Sequence, residues 1–415
     1  MGTFKIGKQK ANVIYNIQGK EVNVAAPTTA QDSEENVQKK PGIPAPQKEY
    51  DDFELLVGQK TRDGYPITVI ESPAGEISTT LTLNLEHWQL EADLLHLEDE
   101  ETSEQFFIRF GGWLFEELFP REVARLYHAS LGQARAKDKG LRIRLHIEPP
   151  EVAALPWEYM YDKMSDLFLA ISPEILLVRY LHVSEPVRPV SVSPPLKVLV
   201  VISNPFELAA YQMEELDAEK EKQAIKEALS EWEQAGLIQL EFLQNAIAEE
   251  IRHQLRKFQP HVFHFIGHGA FMEEGAVLVL EDNAHQCRFV SDRVFREFFL
   301  GSDSTKLVVL NACESAKTSS TKPLVGMAPQ LVRRGLPAVV AMQYPIYDDT
   351  AIKFSKEFYR ALAVGFPVDT ALTEARRGIY MDYGVERRDW GIPVLFMRAP
   401  DGVIFQVASC STTGE

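Results

Sequence analysis

The stretch LKVLVVIS (196–203) opens a series of apolar segments that decides the fold of this chain. The others are LIQLEFL (237–243), HVFHFIGH (261–268), KLVVLNAC (306–313), LPAVVAMQY (336–344) and IPVLFMR (392–398). Segments of helical apolar spacing separate them, and apolar strands that alternate with helices are typical of a parallel sheet covered on both faces. We therefore predict an α/β fold over residues 191–415, with a mainly parallel sheet sandwiched by helices and closed by the last segment.

Three segments that differ in amino-acid composition and in hydrophobic pattern precede this region. Residues 1–25 alternate apolar and polar side chains between glycines, which predicts short strands. Residues 26–52 are polar and proline-rich, so we predict a disordered linker. Residues 53–190 combine alternating strand segments with the helical spacing of SEQFFIRFGGWLFEELFPREVARLYHASLGQA, and they end at the proline-rich SEPVRPVSVSPP. This pattern predicts a smaller α+β domain before the sheet.

Composition limits the classes of partner. With 45% hydrophobic and 25% charged residues, the 415-residue chain is an ordinary globular one with room for two or three domains. A formal net charge of −17 repels phosphate backbones, so we expect no nucleic-acid partner. No segment approaches the roughly 18 apolar residues that span a bilayer, and the N-terminus lacks the apolar core of a signal peptide. We expect no membrane anchor.

The three cysteines, Cys287, Cys313 and Cys410, are too few and too scattered for a disulfide framework. None forms the close CxxC pair of a zinc site. Free thiols indicate a reducing compartment, so we predict a cytoplasmic protein.

Two strand ends carry residues that can take part in catalysis. HVFHFIGHGA ends its strand at Gly267-His268-Gly269, and KLVVLNACESA ends its strand at Cys313. The carboxyl ends of parallel strands gather at one edge of a sheet, where ligand chemistry concentrates. A histidine there can withdraw the proton of a thiol, and the amide of an adjacent glycine can stabilise an oxyanion. These residue types suit acyl transfer through a thioester.

Each residue also has a plain structural interpretation. A single cysteine near a buried strand is usually a small hydrophobic residue, and a histidine that ends a strand is often a satisfied polar cap. His264 and His268 have H-x-x-x-H spacing, but Phe265 stands where zincins have glutamate, and the segment is a strand. The glycines lack the spacing of a phosphate loop. We expect neither a metal nor a cofactor, and it is the pairing of Cys313 with His268 that is specific.

The two motifs resemble those of the caspase-like peptidase clan, which includes caspases, metacaspases, legumains, gingipains and separases. Four longer segments resemble the CHAT domain, a branch of this clan related to separases. They are HVFHFIGHGA, LVVLNACESA, LVRRGLPAVVAMQYPIYDD and FYRALAVGFPVDTALTEARR. The resemblance extends over residues 141–396, because LPWEYMYD and FLAISPEILLVRYL resemble the segment before the catalytic part. It implies that His268 is the general base and Cys313 the nucleophile. By motif position, it also implies an oxyanion hole formed by the amides of Gly269 and Cys313.

Three acidic residues are candidates for a substrate pocket. Asp348 and Asp349 follow a predicted strand, and they either cap the next helix or line the pocket for the residue before the scissile bond. Glu314, directly after the nucleophile, either faces the substrate or lies in a solvated turn. An apolar pocket is as consistent with the sequence as an acidic one, so the primary specificity stays open.

Residues 1–25 form a β-prone segment that is too short to fold as a monomeric domain. Such a segment can stack in register with copies of itself or with a similar partner. It resembles the amyloid-type signalling motifs that couple bacterial sensor proteins to effectors, which implies a sensor protein or self-association. The alternatives are an additional strand pair on the next domain or a disordered tail.

Together these features predict a cytoplasmic cysteine endopeptidase, a regulated bacterial effector or defence protease that cleaves a protein substrate. The alternative is a catalytically silent interaction module of the same fold. A doubly wound nucleotide-binding protein is the third class considered, and the chain lacks the phosphate-binding loop that such a protein needs.

Overall fold

The structure is a computed structural model that describes residues 48–83, 103–182, 187, 189–211, 213, 215–272, 275–313, 323–344 and 346–407. These residues belong to one compact unit. The predictions for residues 1–25, for most of the 26–52 linker and for Glu314 lie outside this range.

The described strands, β1 to β17 in chain order, are Tyr50–Val57, Tyr65–Glu71, Ile77–Leu81, Gly140–Ile147, Tyr161–Asp162, Leu167–Phe168, Ile175–Tyr180, Val190–Val192, Leu196–Ile202, Ile238–Leu243, Val262–Met272, Gly275–Glu281, Cys287–Ser291, Leu307–Cys313, Ala338–Met342, Pro393–Met397 and Phe405–Val407. The described helices, α1 to α9, are Glu104–Leu118, Arg121–Ala136, Pro150–Ala153, Ala218–Gln234, Ala248–Phe258, Asp292–Glu297, Pro323–Arg333, Asp348–Ala363 and Val368–Tyr383. β1 thus begins at Tyr50, slightly before the predicted end of the linker.

Side-chain caps fix the start of two of these helices. The hydroxyl of Ser103 accepts the amide of Phe106 at the start of α1, and the carboxylate of Asp217 accepts the amide of Lys220 at the start of α4. Serine and aspartate are favoured here because they bond one of the amides that a first helical turn leaves open.

A 13-stranded sheet runs through the described residues in the order β10-β9-β11-β14-β15-β16-β7-β4-β1-β2-β3, and β12 and β13 join it through β11. Most neighbours on this path are parallel, and the antiparallel steps are β15–β16, β1–β2 and β2–β3. The predicted α/β class with a mainly parallel sheet is confirmed.

The prediction that β16 closes the sheet is wrong. β7 pairs with the free edge of β16, and the amide of Leu181 donates to the carbonyl of Met397 at 2.9 Å. The physical reason lies in β7 itself, which is buried along its whole length and needs hydrogen-bond partners at both edges. One sheet therefore contains strands from both sides of residue 190, and the division there into 53–190 and 191–415 stays a prediction.

The two faces of the sheet bury separate cores. Val198 and Val200 of β9 point to a core shared with α4, α8 and α9, called here the α8 face. Leu199 and Val201 point to the opposite core with α5, α6 and α7, called here the α7 face. Alternate residues of a strand point to opposite faces, so this assignment fixes the face of each position on the neighbouring strands.

Candidate active site

β11 carries His268 on the α8 face of the sheet. Val262 and Ile266 precede it at two-residue spacing and pack in the core of that face. His268 itself is buried, with 1% of its surface exposed. Its backbone is fixed on both sides, since it lies opposite Cys313 of β14 and opposite Val279 of β12.

Cys313 is the last residue of β14, at the carboxyl end of that strand. The parallel ladder between β11 and β14 keeps one register from Val262 opposite Leu307 to His268 opposite Cys313. Neighbouring strands lie about 4.8 Å apart, and residues opposite each other belong to the same face. The backbone register therefore brings the two predicted catalytic positions side by side.

The sequence predicted the end of β11 wrongly. The strand does not end at His268 but continues to Met272. β9 ends at Ile202, and β12 replaces it as the neighbour of β11 from His268 onward. The hydroxyl of Ser203 donates to the carbonyl of Val279 at 2.8 Å and joins the two neighbours where they meet. Local apolar spacing cannot show this exchange of partners, because it depends on a pairing with residues further along the chain.

Gly267 is a glycine for a steric reason. A Cβ at this position would lie 2.6 Å from Cζ of Phe265 and 3.1 Å from Cβ of Ser203, both on the α7 face. Real Cβ atoms are not found at the shorter distance, so the packing behind His268 requires glycine.

Gly269 lies opposite Leu278 in the hairpin. The amide of Ser203 donates to the carbonyl of Ile266, so the polar backbone groups of Ile266 point toward β9. Backbone groups alternate along a strand, and those of Gly267 and Gly269 therefore point toward β14, the strand that ends in Cys313. This is the direction that the predicted oxyanion role of the Gly269 amide requires.

The predicted pocket residues have different surroundings. Asp348 is the first residue of α8, and Tyr347 rather than either aspartate occupies its N-cap position. The Asp349 carboxylate accepts hydrogen bonds from Nη1 and Nη2 of Arg387, at 3.1 and 3.0 Å. The hydrogen bonds from Arg387 lower the pKa of Asp349. Glu314 lies outside the described part of the chain.

Arg387 was not recognised from the sequence, although it organises this corner of the molecule. Its guanidinium group lies between the rings of Tyr347 and Tyr383, 4.4 and 4.1 Å from their centroids. It also donates to Oδ2 of Asp389 at 2.8 Å. These contacts connect the start of α8 to the loop after α9 by cation–π and charge-assisted bonds.

Two further histidines, His264 in β11 and His261 directly before it, form hydrogen bonds through Nδ1. Nδ1 of His264 lies 2.9 Å from the hydroxyl of Tyr359, and burial lowers the pKa of His264 to about 3. Nδ1 of His261 accepts the amide of Lys197 at 3.0 Å. Neither of these hydrogen bonds involves His268.

Among the described residues, no group of three or more histidine, cysteine or acidic side chains has the geometry to hold a metal ion. Within the same part of the chain, no helix is both long and apolar enough to cross a bilayer.

A comparison with known protein families shows to which family this chain belongs. The family model for the CHAT domain matches residues 109–398, which is more than half of the chain. This chain belongs to the CHAT domain family. The resemblance predicted over residues 141–396 is thereby confirmed, and it extends further toward the N-terminus. No curated protein matches the chain.

Solved structures of the caspase-like clan are among those to which this CHAT protein is similar. Separase of Saccharomyces cerevisiae, in a complex with securin, is 14% identical with a TM-score of 0.38, and the match covers 71% of this chain and 18% of that one. The Drosophila initiator caspase Dronc is 11% identical with a TM-score of 0.32, with 55% and 94% covered. A secreted C11 cysteine protease from Bacteroides thetaiotaomicron is 12% identical with a TM-score of 0.30, with 45% and 58% covered. This chain thus spans less than a fifth of the length of the separase chain.

Proposed function

We propose that this CHAT protein is a cysteine endopeptidase with Cys313 as nucleophile and His268 as general base. The observation that carries the proposal is the register that sets these two residues opposite each other at the end of β14. Membership of the CHAT family supports it.

The chemistry follows from these two groups. His268 takes the proton of the Cys313 thiol, and the thiolate attacks the carbonyl carbon of the scissile peptide bond. Protonated His268 then gives the proton to the leaving amine as the C–N bond breaks, which leaves a thioester on Cys313. A water molecule that transfers a proton to His268 attacks the thioester, and the thiol is restored with release of the acid. The reaction is a hydrolysis and needs no cofactor.

The oxyanion hole is proposed at the amides of Gly269 and Cys313. The Gly269 amide points toward β14, as the backbone alternation of β11 requires. In an unbroken parallel ladder the same amide donates to the carbonyl of the residue opposite His268, which is Cys313. The proposal therefore requires the chain to leave the ladder at Cys313 when substrate binds, so that both amides can reach the oxygen of the tetrahedral intermediate.

Primary specificity is proposed to depend on Asp348 or Glu314 more than on Asp349. The Asp349 carboxylate is already neutralised by Arg387, so a cationic substrate side chain would have to displace a bidentate arginine.

We further propose that the protease acts in the cytoplasm as a bacterial effector or defence protein under the control of a partner. Residues 1–25 are the proposed contact with a sensor protein or with copies of the same chain. The burial of His268 agrees with such control, because a shielded base meets substrate only after its surroundings move. Deletion of residues 1–50 tests this part, and unchanged activity and unchanged response in cells would remove it.

A peptide-library digestion tests the catalytic proposal. The wild type is expected to cleave, whereas Cys313→Ala and His268→Gln abolish cleavage. His253→Gln is the matched control that keeps it, since His253 is exposed on α5. Cleavage that survives Cys313→Ala would exclude the mechanism. Absence of cleavage by every variant, with binding of a protein partner retained, would favour the interaction module.

A further inference from the structure

Apolar side chains are exposed on the β11–β12–β13 hairpin and on the segment that packs against it. Tyr211 is 42% exposed and Met272 is 38% exposed, although large apolar side chains are usually buried. Both lie at one surface, here called the hairpin platform, which is formed by residues 204–211, by Met213 and by the β11–β12–β13 hairpin. Its residues are Leu208, Tyr211, Met213, Ala270, Met272 and Phe289.

The register of the hairpin makes this platform continuous with His268. His268 lies opposite Val279, and Val279 lies opposite Phe289 of β13, so the three positions share the α8 face. Ala270 and Met272 follow His268 on the same face at two-residue spacing. Leu208 and Met213 pack on Val279, which is fully buried. The platform therefore begins one strand away from the proposed base, on the side opposite to Cys313.

The segment that carries Tyr211 is held in place rather than loosely attached. The amide of Phe206 donates to the carbonyl of His285 at 2.7 Å, and the side chain of Asn204 exchanges two hydrogen bonds with the backbone of Leu216. The Tyr211 ring meets the Phe289 ring edge-on, with centroids 4.9 Å apart. Exposed apolar groups that are already ordered lose little entropy when a ligand covers them, which favours binding.

The proposed reaction determines which part of a substrate lies on the hairpin platform. If His268 protonates the leaving amine, as the proposed function requires, the amine must lie on the His268 side of the scissile carbon. β14 with Cys313 is on one side of His268, and β12 with the platform is on the other. The residues that follow the scissile bond are therefore directed toward the platform.

Two carboxylates lie near the platform. Glu207 is exposed in the same segment, and Asp282 lies in the turn of the hairpin. Burial and then the charges of Glu207 and Asp282 raise the pKa of Cys287, which places both carboxylates near this surface. Such a field attracts lysine and arginine side chains.

We propose that the hairpin platform binds the substrate residues after the scissile bond and selects an apolar side chain with a basic residue beside it. The inference rests on the proposed peptidase function and deepens it. One apolar contact in a binding site changes kcat/KM by about tenfold or more, so the platform is large enough to determine specificity.

The test distinguishes recognition of the substrate residues before the scissile bond from recognition of the residues after it. Cleavage sites from a peptide library are profiled for the wild type, Tyr211→Ser and Met272→Ser, with Met381→Ser as a matched control because Met381 is 75% exposed on α9. Two substrates are then made with the same residues before the scissile bond. One continues with the preferred apolar and basic residues, and the other ends in a small fluorogenic amine. Thermal unfolding confirms that each variant is folded.

We expect both platform variants to lower kcat/KM for the extended substrate by about tenfold and to leave the fluorogenic substrate unchanged. Glu207→Gln is expected to weaken the basic preference, because it removes an exposed negative charge near the platform. Equal kcat/KM of wild type and variants on the extended substrate would overturn the inference while the peptidase function stands. Cleavage that survives Cys313→Ala would instead remove the proposed function, and the inference with it.

Discussion

The guanidinium group of Arg387 donates to both carboxylate oxygens of Asp349, at 3.1 and 3.0 Å, although the two residues are 38 positions apart in the chain. Arg387 also lies between two tyrosine rings, so it is held independently of Asp349. The negative charge of Asp349 is thus compensated within the protein.

We expect Asp349→Asn to leave the preference for the residue before the scissile bond unchanged, because a neutralised carboxylate has little attraction left for a substrate cation. The side chain is 57% exposed, so its loss should lower the free energy of unfolding by no more than about 1 kcal/mol. Library profiling and urea unfolding measure the two effects. Asp382→Asn, which removes another exposed and ion-paired carboxylate, is the control. Loss of cleavage after lysine and arginine in Asp349→Asn alone would show that Asp349 binds substrate.

A buried ion pair stabilises the segment before the catalytic part. Nε and Nη2 of Arg179 donate to the Glu158 carboxylate at 2.9 and 2.6 Å, and both side chains are almost fully buried. Burial raises the pKa of Glu158, but the charge of Arg179 outweighs it and keeps the pKa lowered. We expect Arg179→Met to lower the free energy of unfolding by about 3–5 kcal/mol, because it leaves a buried carboxylate without its ion-pair partner.

The double variant Glu158→Gln/Arg179→Met separates the ion pair from the packing. It should recover part of the loss, since an uncharged amide is less costly to bury than an unpaired carboxylate. Guanidinium unfolding of the wild type, both single variants and the double variant provides the cycle. Equal stability of Arg179→Met and the double variant would contradict this explanation.

The sequence predicted the strands and helices of the region after residue 191 well, because apolar strands and amphipathic helices leave local patterns. KLVVLNAC and LPAVVAMQY became β14 and β15 with nearly the predicted bounds. The same patterns placed His268 and Cys313 on neighbouring strands, since consecutive strand ends of a parallel sheet share an edge.

Features that depend on partners far along the chain were not predictable. Nothing near IPVLFMR shows that β7, more than 200 residues earlier, pairs with its edge. In the same way, the segment HGAFM contains no signal that it continues β11 and pairs with β12. The arginines of VERRDW likewise give no indication that one of them binds Asp349. Periodicity records which face of an element is buried, but not which element buries it.

Gly267 offers a test of the packing behind the site. Gly267→Ala should lower the free energy of unfolding by about 1–3 kcal/mol, because its Cβ would lie 2.6 Å from the Phe265 ring. Gly132→Ala is the matched control, since this exposed glycine of α2 has nothing within 4 Å of a new Cβ. That change should instead stabilise by about 0.5–1 kcal/mol. The two urea midpoints should therefore shift in opposite directions, and a shared direction would argue against the steric explanation.

His264 makes the fold sensitive to acid. Burial lowers its pKa from 6.5 to about 3, so between these values the unfolded chain binds a proton that the folded chain does not. Stability is therefore complete above pH 6.5 and falls as the pH decreases toward 3, by up to about 5 kcal/mol from this group. We expect His264→Gln, which can still bond Tyr359, to lower stability at pH 7.5 but to flatten its decline between pH 6.5 and 4. Urea unfolding across this range measures both slopes, with His253→Gln on the surface as the control. A variant that loses stability with the same slope as the wild type would show that other groups cause the acid sensitivity.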